Sequence, residues 1–301
     1  MKLVSPAKVL AQVASSIPAE CREHVIVIGS LAAGYHFFGD DDEQAVRTKD
    51  VDCILAPRIA AISAGETTAQ TLLDKGWRRR TAGGWDKPGT EDTPDAELSA
   101  VRLYPPDNDE WFLEFLTVPE SENDAGKKWT RIKLKDGYYA LPSFKFLSLT
   151  AFEPVEIAKH GIRCARPEMM ALANLLEHPE IKPETMSSQI EGRDIKRSNK
   201  DLGRVLAIGR LSADGAIAKW PERWLRALKQ EFPSQWQHLA ATSGNGIRAL
   251  LASPNDIEEA HHACIHGLLA SIGNVTVEQL KIVAELVLVD AIEPLEKLAK
   301  A

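Results

Sequence analysis

Cysteine and long apolar runs are both scarce in this chain, and each scarcity excludes something. Its four cysteines, Cys21, Cys53, Cys164 and Cys264, are widely separated with no CxxC pair, so neither a disulfide framework nor a thiolate zinc site is expected. No stretch approaches the ~20 continuous apolar residues that cross a bilayer, and the opening MKLVSPAKVLAQVASSIP lacks the unbroken apolar core of a signal peptide. The expectation is a cytoplasmic protein with no membrane partner. Repeats and low-complexity tracts are also missing, and with 44% hydrophobic and 26% charged residues in 301 the composition is that of a globular protein, not a fibrous or disordered one.

Positive charge is in deficit, with 36 basic against 43 acidic residues and a formal net charge of −7. A nucleic-acid contact must therefore come from a local patch and not from the overall field. The excess acid lies in the first half, where residues 1–160 carry 25 acidic and 19 basic side chains.

The periodicity divides the chain. After an opening helix, VIVI at 25–28 reads as a buried strand, Gly29-Ser30 as a turn, and LAAGYHFF as the helix that follows. The acidic insert GDDDEQ at 39–44 leads to a second strand, VDCIL at 51–55. A helix is expected over 67–77, a loop over 81–98, and two paired strands over 99–104 and 111–118 joined by PPDND. The basic stretch KKWTRIKLK at 127–135 precedes Leu141-Pro142-Ser143 and a helical segment. From Pro167 onward the pattern is helical throughout, and Thr276 with Gln279 is spaced as a capping box. The prediction is an α/β domain over 1–160 followed by an all-helical domain over 161–301.

Three acids stand out. Asp50 and Asp52 are two apart on a strand, so their side chains share one face while Val51, Cys53 and Leu55 share the other. Like charges side by side are costly unless a cation lies between them. Glu114, inside WFLEFLT, shares a face with Phe112 and Leu116, where a lone carboxylate is expensive to bury. Hard divalent cations such as Mg2+ or Mn2+ prefer carboxylate oxygens, and a pair of them holds phosphate oxygens while activating a hydroxyl. Any one acid alone reads more simply as a strand end or a salt-bridge partner. The turn tips the balance: Gly29 lets phosphate approach the backbone, and Ser30 at a helix start offers a hydroxyl and free amide donors.

On these residues the sequence resembles the nucleotidyltransferase superfamily of DNA polymerase beta. The elements that match are IGS at 28–30, KDVDCIL with Asp50 and Asp52, and Glu114 in a later apolar strand. Within that superfamily, RTKDVD at 47–52 resembles the lead into the double acid of AbiEii-like toxin nucleotidyltransferases, and Lys200-Asp201 resembles their helical Lys-Asp pair. Two positions depart: the third acid is Glu where many relatives have Asp, and Asn174 stands where relatives commonly carry a helical lysine. The resemblance implies an α+β fold, a nucleotidyltransferase-type mixed sheet with flanking helices followed by the helical domain. It implies transfer of a nucleoside monophosphate from a nucleoside triphosphate to an acceptor hydroxyl, with Asp50, Asp52 and Glu114 as catalytic metal ligands. Gly29 and Ser30 would hold the triphosphate, Lys200 would offset phosphate charge, and Asp201 would either orient Lys200 or contact the nucleotide. It further implies tRNA or another RNA as acceptor and a cognate antitoxin as partner. A small-molecule acceptor of antibiotic type and a non-catalytic nucleotide-binding module are the alternatives.

Other clusters are weighed against simpler readings. In RDIKRSNKDLGR, Lys196, Lys200 and Arg204 form one stripe if helical, either a solvated face or a phosphate surface. Lys127, Lys128, Arg131, Lys133 and Lys135 interleave with Trp129, Tyr138 and Tyr139, which suits base stacking or a lysine-guarded edge strand equally. His261, His262, Cys264 and His266 resemble metal ligands but lack an HExxH arrangement, and Trp220 and Trp224 read as core.

Overall fold

The computed structural model describes residues 3–81, 87–124, 126–181 and 184–300. Five residues of the expected 81–98 loop, Ala82, Gly83, Gly84, Trp85 and Asp86, lie outside the described residues, and the loop from Lys87 onward is irregular apart from a single turn at Asp95–Glu97. In chain order the amino-terminal elements are β1 (Leu3–Val4), α1 (Pro6–Ser16), β2 (Val25–Val27), α2 (Gly29–Phe38), β3 (Val46–Arg47), β4 (Asp50–Leu55), α3 (Arg58–Asp74), β5 (Arg78–Arg79), β6 (Arg102–Tyr104), β7 (Phe112–Thr117), β8 (Lys128–Leu134), β9 (Gly137–Ser143), α4 (Leu147–Thr150), β10 (Val155–Ile157) and β11 (Ile162–Cys164). Helices follow: α5 (Pro167–Ile181), α6 (Arg197–Leu211), α7 (Trp220–Glu231), α8 (Trp236–Thr242), α9 (Asn245–Ala252), α10 (Pro254–Ile265), α11 (Val277–Val287) and α12 (Glu293–Leu298). The fold is α+β, a mixed sheet with flanking helices and a helical carboxy-terminal region.

The main sheet has seven strands in the order β10-β11-β2-β4-β7-β6-β5. Its centre is the β4–β7 pair, parallel from Asp50↔Phe112 to Leu55↔Thr117, with β2 antiparallel to β4 on one side and β6 antiparallel to β7 on the other. Buried on both faces, β7 reads as an almost unbroken apolar run, FLEFLT, in which Glu114 is the exception. The expected pair of strands around PPDND is β6 and β7.

Three elements differ from the sequence reading. The sheet reaches past residue 160, because β11 pairs in parallel with β2 and draws β10 in after it, so helix α5 at Pro167 is the first element of the helical region. Helix α3 starts at Arg58 and not near 67. Its buried positions are small, Ala61, Ala64, Gly65, Thr68 and Ala69, so no stripe of large apolar residues marks its first turns; a Cβ on Gly65 would come within 2.9 Å of Leu55. Leu141-Pro142-Ser143 lies inside β9, which with β8 forms a separate two-stranded sheet.

The helical region shares one hydrophobic core with the sheet, running from Val4 to Leu295. Trp220 and Trp224 are core residues at 4% and 0% exposure, and the Trp224 indole N–H donates to the Glu168 carbonyl at 2.8 Å. The capping box forms, with the Thr276 hydroxyl accepting from the Gln279 backbone and the Gln279 side chain from Thr276. Helices α6 and α10 approach closely because Gly203 faces the Ala260 carbonyl, 2.7 Å from where a Cβ would stand. Among the described residues, no helix is long and apolar enough to cross a membrane.

Candidate active site

The turn after β2 is fixed against β4. The Ile28 amide donates to the Asp52 carbonyl at 2.9 Å, and Gly29 opens α2 at φ +74°, a conformation that favours glycine. Its amide meets the Met170 sulfur at 3.2 Å, and a Cβ there would stand 3.3 Å from Asp52 Oδ2. The expected turn and the expected acid therefore touch. Ser30 lies in the first turn of α2, half-buried, where backbone amides lack helical acceptors and favour an anion.

Register brings the acids into one row. Asp52 lies directly opposite Glu114, and Asp50 opposite Phe112. At the head of β4, the Thr48 hydroxyl donates to Asp50 Oδ1 at 2.9 Å. Glu114, only 8% exposed, accepts from Arg102 at 2.8 Å, and Arg102 lies opposite it on β6. Sequence reasoning missed this arginine, although pairing the two strands already placed a basic residue next to the third acid.

Burial raises the Asp52 pKa well above the ordinary carboxylate value, Asp50 and Glu114 push it further, and Arg204 and Lys200 pull back against them. The predicted Lys200 thus lies within electrostatic reach of Asp52, together with Arg204, one helical turn further along α6. Asp201, next to Lys200, is 8% exposed. Asn174 is buried in α5 and contributes no cation.

The expected stripe Lys196-Lys200-Arg204 is split. Lys196 precedes α6 as its cap, and its ammonium bonds Asp256 at 2.6 Å while its amide donates to Glu259. The other half of the basic sequence reaches the site by a different route. Lys127, just before β8, holds its ammonium 3.8 Å over the Trp129 ring. Lys127 is exposed, yet desolvation lowers its pKa, Glu114 opposes, and the charges of Arg102 and Arg197 add to the fall, so one residue of each basic segment lies within electrostatic reach of the other. Arg131 and Lys135 are engaged instead with Asp95 and Asp74. Of the His-Cys cluster, His261 and His262 bond the carbonyls of Val275 and Ile190, and Cys264 donates to the Gly203 carbonyl.

Among the described residues, no group of three or more His, Cys, Asp or Glu side chains converges closely enough to hold a metal ion. Asp50, Asp52 and Glu114 are neighbours by register and by their fields, not yet a closed cage. Their chemistry nevertheless fits a hard divalent cation, since all the donors are carboxylate oxygens and burial together with mutual repulsion destabilises the charge on Asp52. Convergence requires Glu114 to turn from, or be shared with, Arg102. A separate surface cavity of about 340 Å³, lined by residues such as Gln12, Lys75 and Asp107, contains none of these acids.

No family model matches the chain, and no curated protein matches it. Among solved structures, an antigenic nucleotidyltransferase-like protein from Paracoccidioides brasiliensis is similar over 91% of this chain and 100% of that one, at 12% identity and a TM-score of 0.38.

Proposed function

We propose that the protein is a metal-dependent nucleotidyltransferase. The observation that carries this reading is Asp52: a half-buried acid whose charge is opposed by desolvation, Asp50 and Glu114, set against a glycine turn at a helix start and within the field of Lys200 and Arg204. A structural ion pair does not need that opposition of acids. A site for a cation and a polyphosphate does.

Asp50, Asp52 and Glu114 would hold Mg2+ or Mn2+, which when bound supplies Lewis-acid charge to phosphate oxygens. The chain's own residues do the rest. The α2 amides and the Ser30 hydroxyl bind triphosphate oxygens, Gly29 leaves room for them, and Lys200 with Arg204 offsets charge on the departing pyrophosphate. The acceptor oxygen forms a bond to the α-phosphorus as the bond to the β-phosphate bridging oxygen breaks, and pyrophosphate leaves with that electron pair. The acceptor proton passes to a base, a part we assign to the Glu114 carboxylate because it neighbours Asp52 in the register.

The acceptor we propose is RNA, most specifically tRNA, in the manner of AbiEii-like toxins, with an antitoxin as the controlling partner. This rests on the resemblance of RTKDVD and Lys200-Asp201 and on Lys127 lying within the fields of Arg197 and Glu114. Incubation with each α-labelled nucleoside triphosphate, Mg2+ and total cellular RNA tests it. Label in tRNA is expected from the wild type and not from Asp52→Asn; label in neither, with no label on protein or small hydroxylated compounds, contradicts the enzyme.

A further inference from the structure

The face of the sheet that carries the acids does not end at Glu114. Directly opposed residues on neighbouring strands share a face. The row Asp52, Glu114 and Arg102 therefore continues outward to Arg80, whose amide donates to the Arg102 carbonyl just beyond the last paired rung of β5 and β6.

Arg80 differs from its neighbours on the edge strand. Arg78 is tied to Asp109 at 2.6 Å, and Arg79, on the opposite face, to Asp136 at 2.8 Å. Arg80 has no carboxylate partner among the described residues. Its guanidinium lies 4.6 Å over the Phe112 ring, and its Nε is buried without a hydrogen-bond partner. Stacking satisfies the face of a guanidinium and leaves the donors in its plane unused. Phe112 is itself held edge-on by Tyr104, with ring centroids 5.8 Å apart at 79°, and stands opposite Asp50 in the register. The ring therefore orients Arg80 beside the reacting acids, next to a second guanidinium whose charge Glu114 already absorbs. Of these two adjacent cations only Arg102 has a carboxylate, Glu114 on its far side, and Lys127 lies within the field of Arg102, so the Arg80 end of the row is left short of negative charge.

We propose that Arg80 binds a phosphate group of the acceptor, so that the substrate hydroxyl enters from the β6 side carrying a phosphate ester nearby. This rests on the nucleotidyl-transfer reading for the word acceptor, but the anion site itself does not. A planar fork of donors matches phosphate oxygens two at a time, and the triphosphate turn at Gly29 lies on the other side of Asp52, beyond β4. The two phosphate-binding ends thus flank the row of acids.

Binding measured in a chelating buffer, without nucleoside triphosphate, tests the site apart from turnover. The probes are a fluorescent eight-nucleotide single-stranded RNA and, separately, ribose 5-phosphate. Arg80→Gln is expected to weaken at least one of them about fivefold or more and, for the RNA, to reduce the slope of log affinity against log salt by about 0.7, while Arg78→Gln stays within about twofold of wild type. Loss confined to the RNA supports a polynucleotide source, and loss confined to ribose 5-phosphate supports a small phosphorylated acceptor. Unchanged affinity for both probes overturns the proposal, even where Asp52→Asn abolishes transfer. Should Arg80→Gln fail to melt cooperatively, Arg80→Lys replaces it, and wild-type affinity of Arg80→Lys for both probes overturns the proposal equally.

Discussion

Helix α6 carries two clusters of charge that answer the same problem in opposite ways. At its start, Lys196 and Asn199 meet Asp256 and Glu259 at 2.6 to 2.9 Å. Cation, amide and acids satisfy one another there, and the Asp256 pKa is lowered: burial raises it, but bonds from Lys196, Asn199 and Ser253 outweigh that rise. One turn on, Lys200 and Arg204 lie within the field of Asp52 without a hydrogen bond to it, and the Asp52 pKa is raised by burial, Asp50 and Glu114. A closed network lowers an acid's pKa and fastens two helices. An open one sets acid against acid, and opposed charge held beside a glycine turn is the mark of a site that expects a ligand.

The largest effect should come from Asp52→Asn. Nucleotidyl transfer should fall by about a thousandfold or more, while in chelating buffer the variant should melt higher than wild type. Because the folded pKa is raised, the folded chain binds a proton more readily than the unfolded one. Ionised Asp52 therefore costs stability, a cost absent below the unfolded carboxylate value of about 3.9 and increasing as pH rises toward the folded pKa. The melting advantage of Asp52→Asn should accordingly be greater at pH 7 than at pH 4. An advantage independent of pH would break the contrast between the two clusters.

Lys200→Ala should slow transfer about 10- to 100-fold with little change in melting, whereas Lys196→Ala should lower melting and leave kinetics within about twofold. Equal kinetic effects of both would erase the distinction drawn along α6. Gly29→Ala forces a side chain into positive φ and to within 3.3 Å of Asp52, so a destabilisation of about 1–2 kcal/mol is expected by denaturant titration, together with weaker triphosphate binding. The smallest effect belongs to the closed network. Asp256→Ala should cost about 1–2 kcal/mol, a figure already reduced because Lys196 is 40% exposed, with transfer and metal binding unchanged.

Much of the site was readable because it is built from short-range pattern. The run VIVI before Gly29-Ser30, the alternation around Asp50 and Asp52, and the polar intruder in FLEFLT each declare themselves within a few residues. The β6–β7 hairpin was legible for the same reason. What escaped depends on partners far away in the chain or on small side chains. Lys196 looked like the first member of a phosphate stripe because Asp256 is sixty residues distant. Arg80 ends a run of three arginines that nothing local distinguishes; Phe112 and the strand order separate it from Arg78 and Arg79. The first turns of α3, rich in alanine and glycine, lacked a hydrophobic stripe because the helix packs close against Leu55, and β10 and β11, three residues each, are too short for alternation to show.

Metal binding by the unreacted protein tests the central claim most directly, since it asks whether the opposition of acids around Asp52 is there to receive a cation. Titration of Mn2+, followed by the loss of its free-ion electron paramagnetic resonance signal, should show binding by the wild type, at least tenfold weaker binding by Asp50→Asn and Asp52→Asn, a smaller loss for Glu114→Gln, and no change for Asp256→Ala. Equal Mn2+ affinity in the wild type and Asp52→Asn would contradict the account.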